Sequence, residues 1–212
     1  MKKSIVLSFA VLSVFISNAH SAVVAQWIAG NVGLTEVEPE PWNYADNVAV
    51  SKLTVHGSIE KAAGTSRALW QGWTTTVHDT MNYLGFTITP EPGFQLSLTD
   101  LDSVPANPRA RGLGHSWGVR VNNGSGFGAW TFQATQTENG YLNEFLVPIT
   151  TTGTVELGFF AWALTPEENY TPFLDTGGNY NLELNGTVSA VPEPSAALLA
   201  GLGALALLRR RR

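Results

Sequence analysis

The 212 residues hold 12 lysines and arginines against 17 aspartates and glutamates, a formal net charge of −5, and no cysteine. The missing cysteines exclude thiol catalysis, thiolate zinc sites and iron–sulfur clusters built from this chain. The charge is uneven: Lys2, Lys3 and the four arginines Arg209, Arg210, Arg211 and Arg212 sit at the ends, so residues 22–190 carry six basic residues against sixteen acidic ones, about −10, which excludes nucleic acid as a partner because phosphate binding needs a basic face.

Met1 to Ser21 has a basic start, an apolar stretch from Ile5 to Ile16, and small residues at Asn18-Ala19-His20-Ser21-Ala22. This is the pattern of a secretory signal peptide, and it is set apart from the fold. Cleavage is expected after Ser21, with cleavage after Ala19 as the alternative. The apolar stretch is shorter than the roughly 20 residues of a spanning helix, which argues against a retained anchor. About Ala22 to Ala190 remains, enough for one exported domain with its own core.

Within that domain, Val23 to Ala29 reads as a strand, and polar Asn31 to Asp46 as a long loop. Val48 to Val55 alternates like a strand, Ile59 to Arg67 is ambiguous with room for a short helical turn, and Leu69 to Val77, rich in Trp and Thr, favours strand. Tyr83 to Thr89 and Phe94 to Leu101 are strands around Pro90-Glu91-Pro92-Gly93, where proline presets φ and glycine allows it to be positive; the pair forms either a hairpin or a corner between two sheets. Ser103 to Gly114 reads as a loop, Ser116 to Val121 as a strand, and Asn122 to Gly128 as a turn. Ala129 to Ala134, Glu144 to Ile149, Thr154 to Ala163 and Tyr180 to Val188 continue the strand pattern. Short strands at regular spacing, punctuated by Gly, Pro and Asn and without an amphipathic helix, predict an all-β antiparallel sandwich of jelly-roll type.

Four constellations touch on chemistry. Gly114-His115-Ser116-Trp117-Gly118 has the G-x-S-x-G spacing of a nucleophile elbow, but an elbow needs a strand before the serine and a helix after it. Here the following residues alternate like a strand and no histidine follows Ser116. His56, His78 and His115 lack metal-ligand spacing and read as unrelated surface or edge residues. Asp100 and Asp102 flank Leu101 at a strand end, where carboxylates with backbone carbonyls suit Ca²⁺; a solvated turn is the other reading, and no further cofactor is expected. Of seven tryptophans, Trp117, Trp130 and Trp162 lie in apolar alternation and are expected in the core. Trp42, in a polar loop with Tyr44 nearby, is the best exposed candidate for stacking on a sugar face.

Val191 to Arg212 has three parts: Pro192-Glu193-Pro194, an apolar run from Ala196 to Leu208, and the cluster Arg209-Arg210-Arg211-Arg212. An apolar run closed by basic residues is a stop-transfer pattern that keeps the arginines cytoplasmic and the rest of the chain outside. The run has thirteen residues, about 20 Å as a helix against a hydrocarbon core of about 30 Å, so it suits a transient stop better than a permanent anchor.

This triplet, apolar run and arginine cluster, paired with an N-terminal signal peptide, resembles the PEP-CTERM sorting signal of exopolysaccharide-producing Gram-negative bacteria. Two other Pro-Glu-Pro triplets, at Pro39-Glu40-Pro41 and Pro90-Glu91-Pro92, lack the apolar run, so the triplet alone carries nothing. The resemblance implies recognition by an exosortase, a membrane-embedded enzyme supplying its own cysteine, with removal of the tail near the triplet. The middle of the chain resembles the β-sandwich domain common in such proteins, on Tyr83-Leu84-Gly85-Phe86-Thr87-Ile88-Thr89-Pro90, Phe94 to Leu98, Ser116-Trp117-Gly118-Val119-Arg120 and Asn185-Gly186-Thr187-Val188. The resemblance carries over no catalytic residues. The expectation is a non-enzymatic protein of the cell surface or the extracellular polysaccharide (biofilm) matrix, exported through the Sec translocon and held by its C-terminal helix until an exosortase acts. A carbohydrate-binding module using Trp42 and Tyr44, and a secreted hydrolase, are the alternatives.

Overall fold

The computed structural model describes residues 22–28, 40–61, 68–103, 113–136, 148–163, 170–174 and 181–191, with isolated positions 201, 203 and 209. The signal helix expected over residues 1–21 lies outside the described residues, as does nearly all of the expected C-terminal helix. Among the described residues no helix is long and apolar enough to cross a membrane.

Fourteen strands occur among the described residues. In chain order they are β1 (Ala22–Ile28), β2 (Asn43–Tyr44), β3 (Val48–Val50), β4 (Thr54–His56), β5 (Glu60–Lys61), β6 (Ala68–Gln71) and β7 (Tyr83–Pro90). Then come β8 (Phe94–Ser103), β9 (Leu113–Asn122), β10 (Thr131–Gln136), β11 (Ile149–Thr151), β12 (Thr154–Ala163), β13 (Tyr170–Leu174) and β14 (Asn181–Ala190). One sheet has the order β11-β8-β14-β1-β2 and a second β10-β9-β12-β7-β3, with β4 also on β7; a small third sheet runs β13-β6-β5. Every pairing is antiparallel.

The two large sheets share one core, consistent with a β-sandwich. Alternation along each strand supplies it: Leu84, Phe86 and Ile88 from β7, Val155, Leu157 and Phe159 from β12, and Leu96, Leu98 and Leu101 from β8 point inward. Trp27 of the first sheet packs on Phe86 of the second with ring centroids 4.4 Å apart. Ile59 and Trp73, which flank strands of the small sheet, enter the same core.

Several expectations resolve at this level. Tyr83 to Thr89 and Phe94 to Leu101 form a corner rather than a hairpin, because β7 and β8 belong to different sheets. Gly93, at φ +88°, makes the turn, and Phe94 N–H donates to Glu91 O at 3.0 Å. Val48 to Val55 is two strands, not one. At the break Ser51 N–H donates to Thr87 O at 2.9 Å, and its Oγ accepts from Thr87 N–H at 2.8 Å. The side chain replaces a ladder partner and lets Leu53 turn into the core. Leu69 to Val77 is strand only as far as Gln71, because Gly72 takes φ +90°. Of the loop expected over Ser103 to Gly114, Ser103 belongs to β8 and Leu113 and Gly114 to β9, with Leu113 opposite Ala163; residues 104–112 lie outside the described residues. Pro172 concealed β13 from the alternation pattern; it lies beside a register shift, where a missing ladder donor is tolerated.

Candidate functional site

The outward face of the second sheet differs from that of the first. The outward face of the first sheet is polar, with pairs such as Gln26 Nε2 to Glu183 Oε2 at 3.0 Å and Asn185 Nδ2 to Asp100 Oδ1 at 2.8 Å. In the second sheet, register brings Gly85, Gly158 and Gly118 side by side across β7, β12 and β9. With no Cβ in this row, aromatic rings lie close against the backbone. A Cβ at Gly158 would stand 2.8 Å from Phe160 Cε2 and 2.9 Å from Trp130 Cη2, and one at Gly85 would stand 2.8 Å from Tyr83 Cε2. Tyr83, Trp130, Phe132 and Phe160 form the resulting layer, with Trp130 and Phe132 each edge-on to Phe160 at 5.0 Å.

The next row is charged. Glu156 stands between Thr87 and Arg120. Arg120 Nε donates to Glu156 Oε2 at 2.7 Å, and Nη2 lies 2.7 Å from the same oxygen. Tyr83 O–H donates to Glu156 Oε1 at 2.9 Å, and Arg120 Nη2 donates to the Tyr83 hydroxyl oxygen at 3.2 Å. The ring of bonds is closed. Glu156 keeps 6% of its side chain exposed and Arg120 25%. The guanidinium lies 4.3 Å from the Trp130 ring centroid and 4.8 Å from that of Phe127. Burial pushes the Tyr83 phenol well above its ordinary range, and the bond to Glu156 and its negative charge add to the effect. The phenol therefore stays protonated and serves as a donor, not a base.

Beside this network is an open groove of about 470 Å³, bordered by Ser51, Thr54, His56, Tyr83, Arg120 and Phe127. His56 and Tyr83 stack nearly parallel at 4.0 Å to make one wall. Neither Arg120 nor Glu156 was singled out as a site residue from the sequence. The available signal was a charge of each sign on the polar side of a strongly apolar strand, Arg120 in SWGVRV and Glu156 in TVELGFFAWA.

The residues expected to carry chemistry fare differently. Ser116 sits inside the continuous strand β9, fully buried, and its Oγ has no hydrogen-bond partner among the described residues. Gly114 to Gly118 is thus not an elbow, and the serine is not presented to a substrate. His115 is buried against Phe159, not on the surface as expected. His78 stacks on Phe132 at 3.9 Å. Trp117 is in the shared core, whereas Trp162 and Trp130 cover the outward glycine face. Asp100 lies within β8, which continues to Ser103, so the expected strand-end site is a ladder position. The Asp102 side chain lies outside the described residues. Among the described residues no three His, Asp or Glu side chains gather as a metal site.

Trp42 and Tyr44 are 58% and 53% exposed at the edge of the first sheet. Trp42 N–H donates to Gln26 O at 2.7 Å, and Tyr44 stands opposite Ala25. The expected sorting triplet Pro192, Glu193 and Pro194 lies outside the described residues. So do three residues of the expected stop-transfer cluster, Arg210, Arg211 and Arg212; the fourth, Arg209, is described and exposed. The last described residue before the triplet is Val191, whose N–H donates to Gly93 O at 2.8 Å.

The architecture is thus an antiparallel β domain whose final strand runs directly into a candidate sorting tail. Residues 190–212 match the PEP-CTERM protein-sorting motif, so the chain carries a PEP-CTERM signal, and the match spans the triplet and the whole cluster from Arg209 through Arg211 to Arg212. That motif marks an exported protein handled by an exosortase and anchored in the membrane before processing. No curated protein matches the chain.

Proposed function

We propose that the chain is a non-catalytic protein of the cell surface or exopolysaccharide (biofilm) matrix. Residues 1–21 take it to the Sec translocon, and the PEP-CTERM tail holds it at the membrane until an exosortase acts. The observation that carries the reading is the motif at residues 190–212, which begins where β14 ends. The exported domain is a jelly roll. Strands β1, β7, β8, β9, β10, β11, β12 and β14 fall into two four-stranded orders, β1-β14-β8-β11 and β7-β12-β9-β10, the interleaving expected of two nested Greek keys. A carbohydrate-binding role is the second reading, favoured by the exposure of Tyr44 on an edge strand and of Trp42 just before it. The hydrolase reading has lost its serine, which is buried in mid-strand.

The test is retention of the exported domain, Ala22 to Ala190, on the polysaccharide of the producing cell, with Trp42→Ala as control. Retention that Trp42→Ala abolishes supports a glycan site at the edge strand. Retention by both proteins supports matrix association through another surface. No retention at millimolar sugar equivalents overturns both matrix-binding readings.

A further inference from the structure

We propose that the groove beside Tyr83, Glu156 and Arg120 binds a neutral saccharide. The inference rests on the matrix-association reading but uses a surface separate from Trp42 and Tyr44.

The groove combines features that suit a pyranose. Its rim carries hydroxyls from Ser51, Thr54 and Thr87; Ser51 and Thr54 already donate to Lys52 O, so toward ring hydroxyls they offer lone pairs and act as acceptors. Phe127 is 38% exposed at one end and offers a ring face to the C–H side of a sugar. Arg120 Nη1 has no acceptor among the described residues, although Nε and Nη2 are both committed to the network. Pre-positioning is strong: Glu156 and Tyr83 hold the guanidinium from one side, and Trp130 and Phe127 face its plane. A donor already locked in place loses little freedom when a ligand binds.

Charge selects the class of sugar. Among the described residues Arg120 is the only lysine or arginine bordering the groove, and Glu156 neutralises it. The exported part carries sixteen acidic residues against six basic ones, so a polyuronate meets net repulsion and a neutral glycan does not. The volume, about 470 Å³, is in the range of small-molecule sites and suits a short stretch of one glycan chain.

The test is calorimetric titration of the exported protein with neutral hexasaccharides of glucose and of mannose, and with a hexameric polyuronate. The expected result is saturable binding of a neutral hexasaccharide. Phe127→Ala and Arg120→Lys should each weaken it about tenfold. Phe127 is partly exposed, so an unchanged thermal transition shows that its variant is folded. Three results overturn the groove: tighter binding of the polyuronate, undiminished binding by Phe127→Ala and Arg120→Lys, or no binding of either neutral probe. If the groove fails while the wild type is still retained on the producing cell's polysaccharide, the matrix reading stands without it. If retention is also absent, both fail.

Discussion

Replacing Arg120 with methionine tests whether the charged row is a coupled unit. The stem is kept and the guanidinium removed. Glu156, with 6% of its side chain exposed, would be left, among the described residues, with the Tyr83 hydroxyl alone. Three contributions disappear: the charged contact with Glu156 Oε2, the bond to Tyr83, and the contacts with the Trp130 and Phe127 rings. Breaking a buried ion pair from one side costs about 3–5 kcal/mol. Arg120 is a quarter exposed, which places the expected loss near the bottom of that range, about 3 kcal/mol. With a urea m-value of about 2 kcal/mol/M, the midpoint of the exported domain should fall by roughly 1.5 M. Adding Glu156→Gln removes the stranded charge, so the double variant should recover more than about 1 kcal/mol relative to the sum of the single losses. A loss below about 1 kcal/mol for Arg120→Met, or strict additivity in the double variant, would refute the coupling.

Gly158→Ala would normally relieve the entropic cost of a strand glycine, about 0.5–1 kcal/mol. Here the new methyl meets the Phe160 and Trp130 rings, so a net loss of about 1–3 kcal/mol is expected by chemical denaturation, and a stabilised variant would contradict the close-packed aromatic layer. Burial holds the His78 imidazole below its usual range, so the unfolded chain takes up this proton at higher pH than the folded one. Stability should fall as pH drops through about 6.5. His78→Asn, which tolerates the left-handed backbone at φ +54°, should flatten that part of the thermal-melt profile; an unchanged slope between pH 7 and 5 counts against the assignment. Mass spectrometry of the exported protein should find its C-terminus near Pro192 to Ser195, and recovery of intact Arg209 to Arg212 would refute processing of the tail.

The β class was legible because alternation is a strong signal wherever one face of a strand is buried. Phe94 to Leu101 and Thr154 to Ala163 both showed it, and both are strands. The break at Ser51 was not legible, because it depends on a side-chain bond to Thr87 on a different strand. The candidate groove was hidden for a related reason. Arg120, Glu156 and Tyr83 are separated by 36 and 73 positions along the chain and meet only through the β9-β12-β7 register. The glycines of that face were equally ambiguous: Gly85, Gly118 and Gly158 lie in three separate strand segments, and only pairing turns them into one row. Trp42 was readable as exposed because its neighbours Glu40, Pro41 and Asn43 are poor core residues.

The register also bears on how the two chain ends relate to the membrane. β1 and β14 are antiparallel neighbours, with Ala22 opposite Gly186. The chain therefore enters β1 and leaves β14 at the same end of the first sheet. The apolar run of residues 5–16 precedes that entry and the run of residues 196–208 follows that exit, each with its basic residues on the far side from the domain. Under the signal-peptide reading, both basic groups lie on the cytoplasmic side and the domain outside, so one membrane accommodates both ends without threading the chain through the fold. The same geometry makes processing harmless to the domain. Cleavage after Ser21 leaves β1 whole, and cleavage anywhere from Pro192 to Ser195 leaves β14 and the Val191 to Gly93 bond intact. The sorting signal can therefore be removed without breaking any strand that supports the core or the groove.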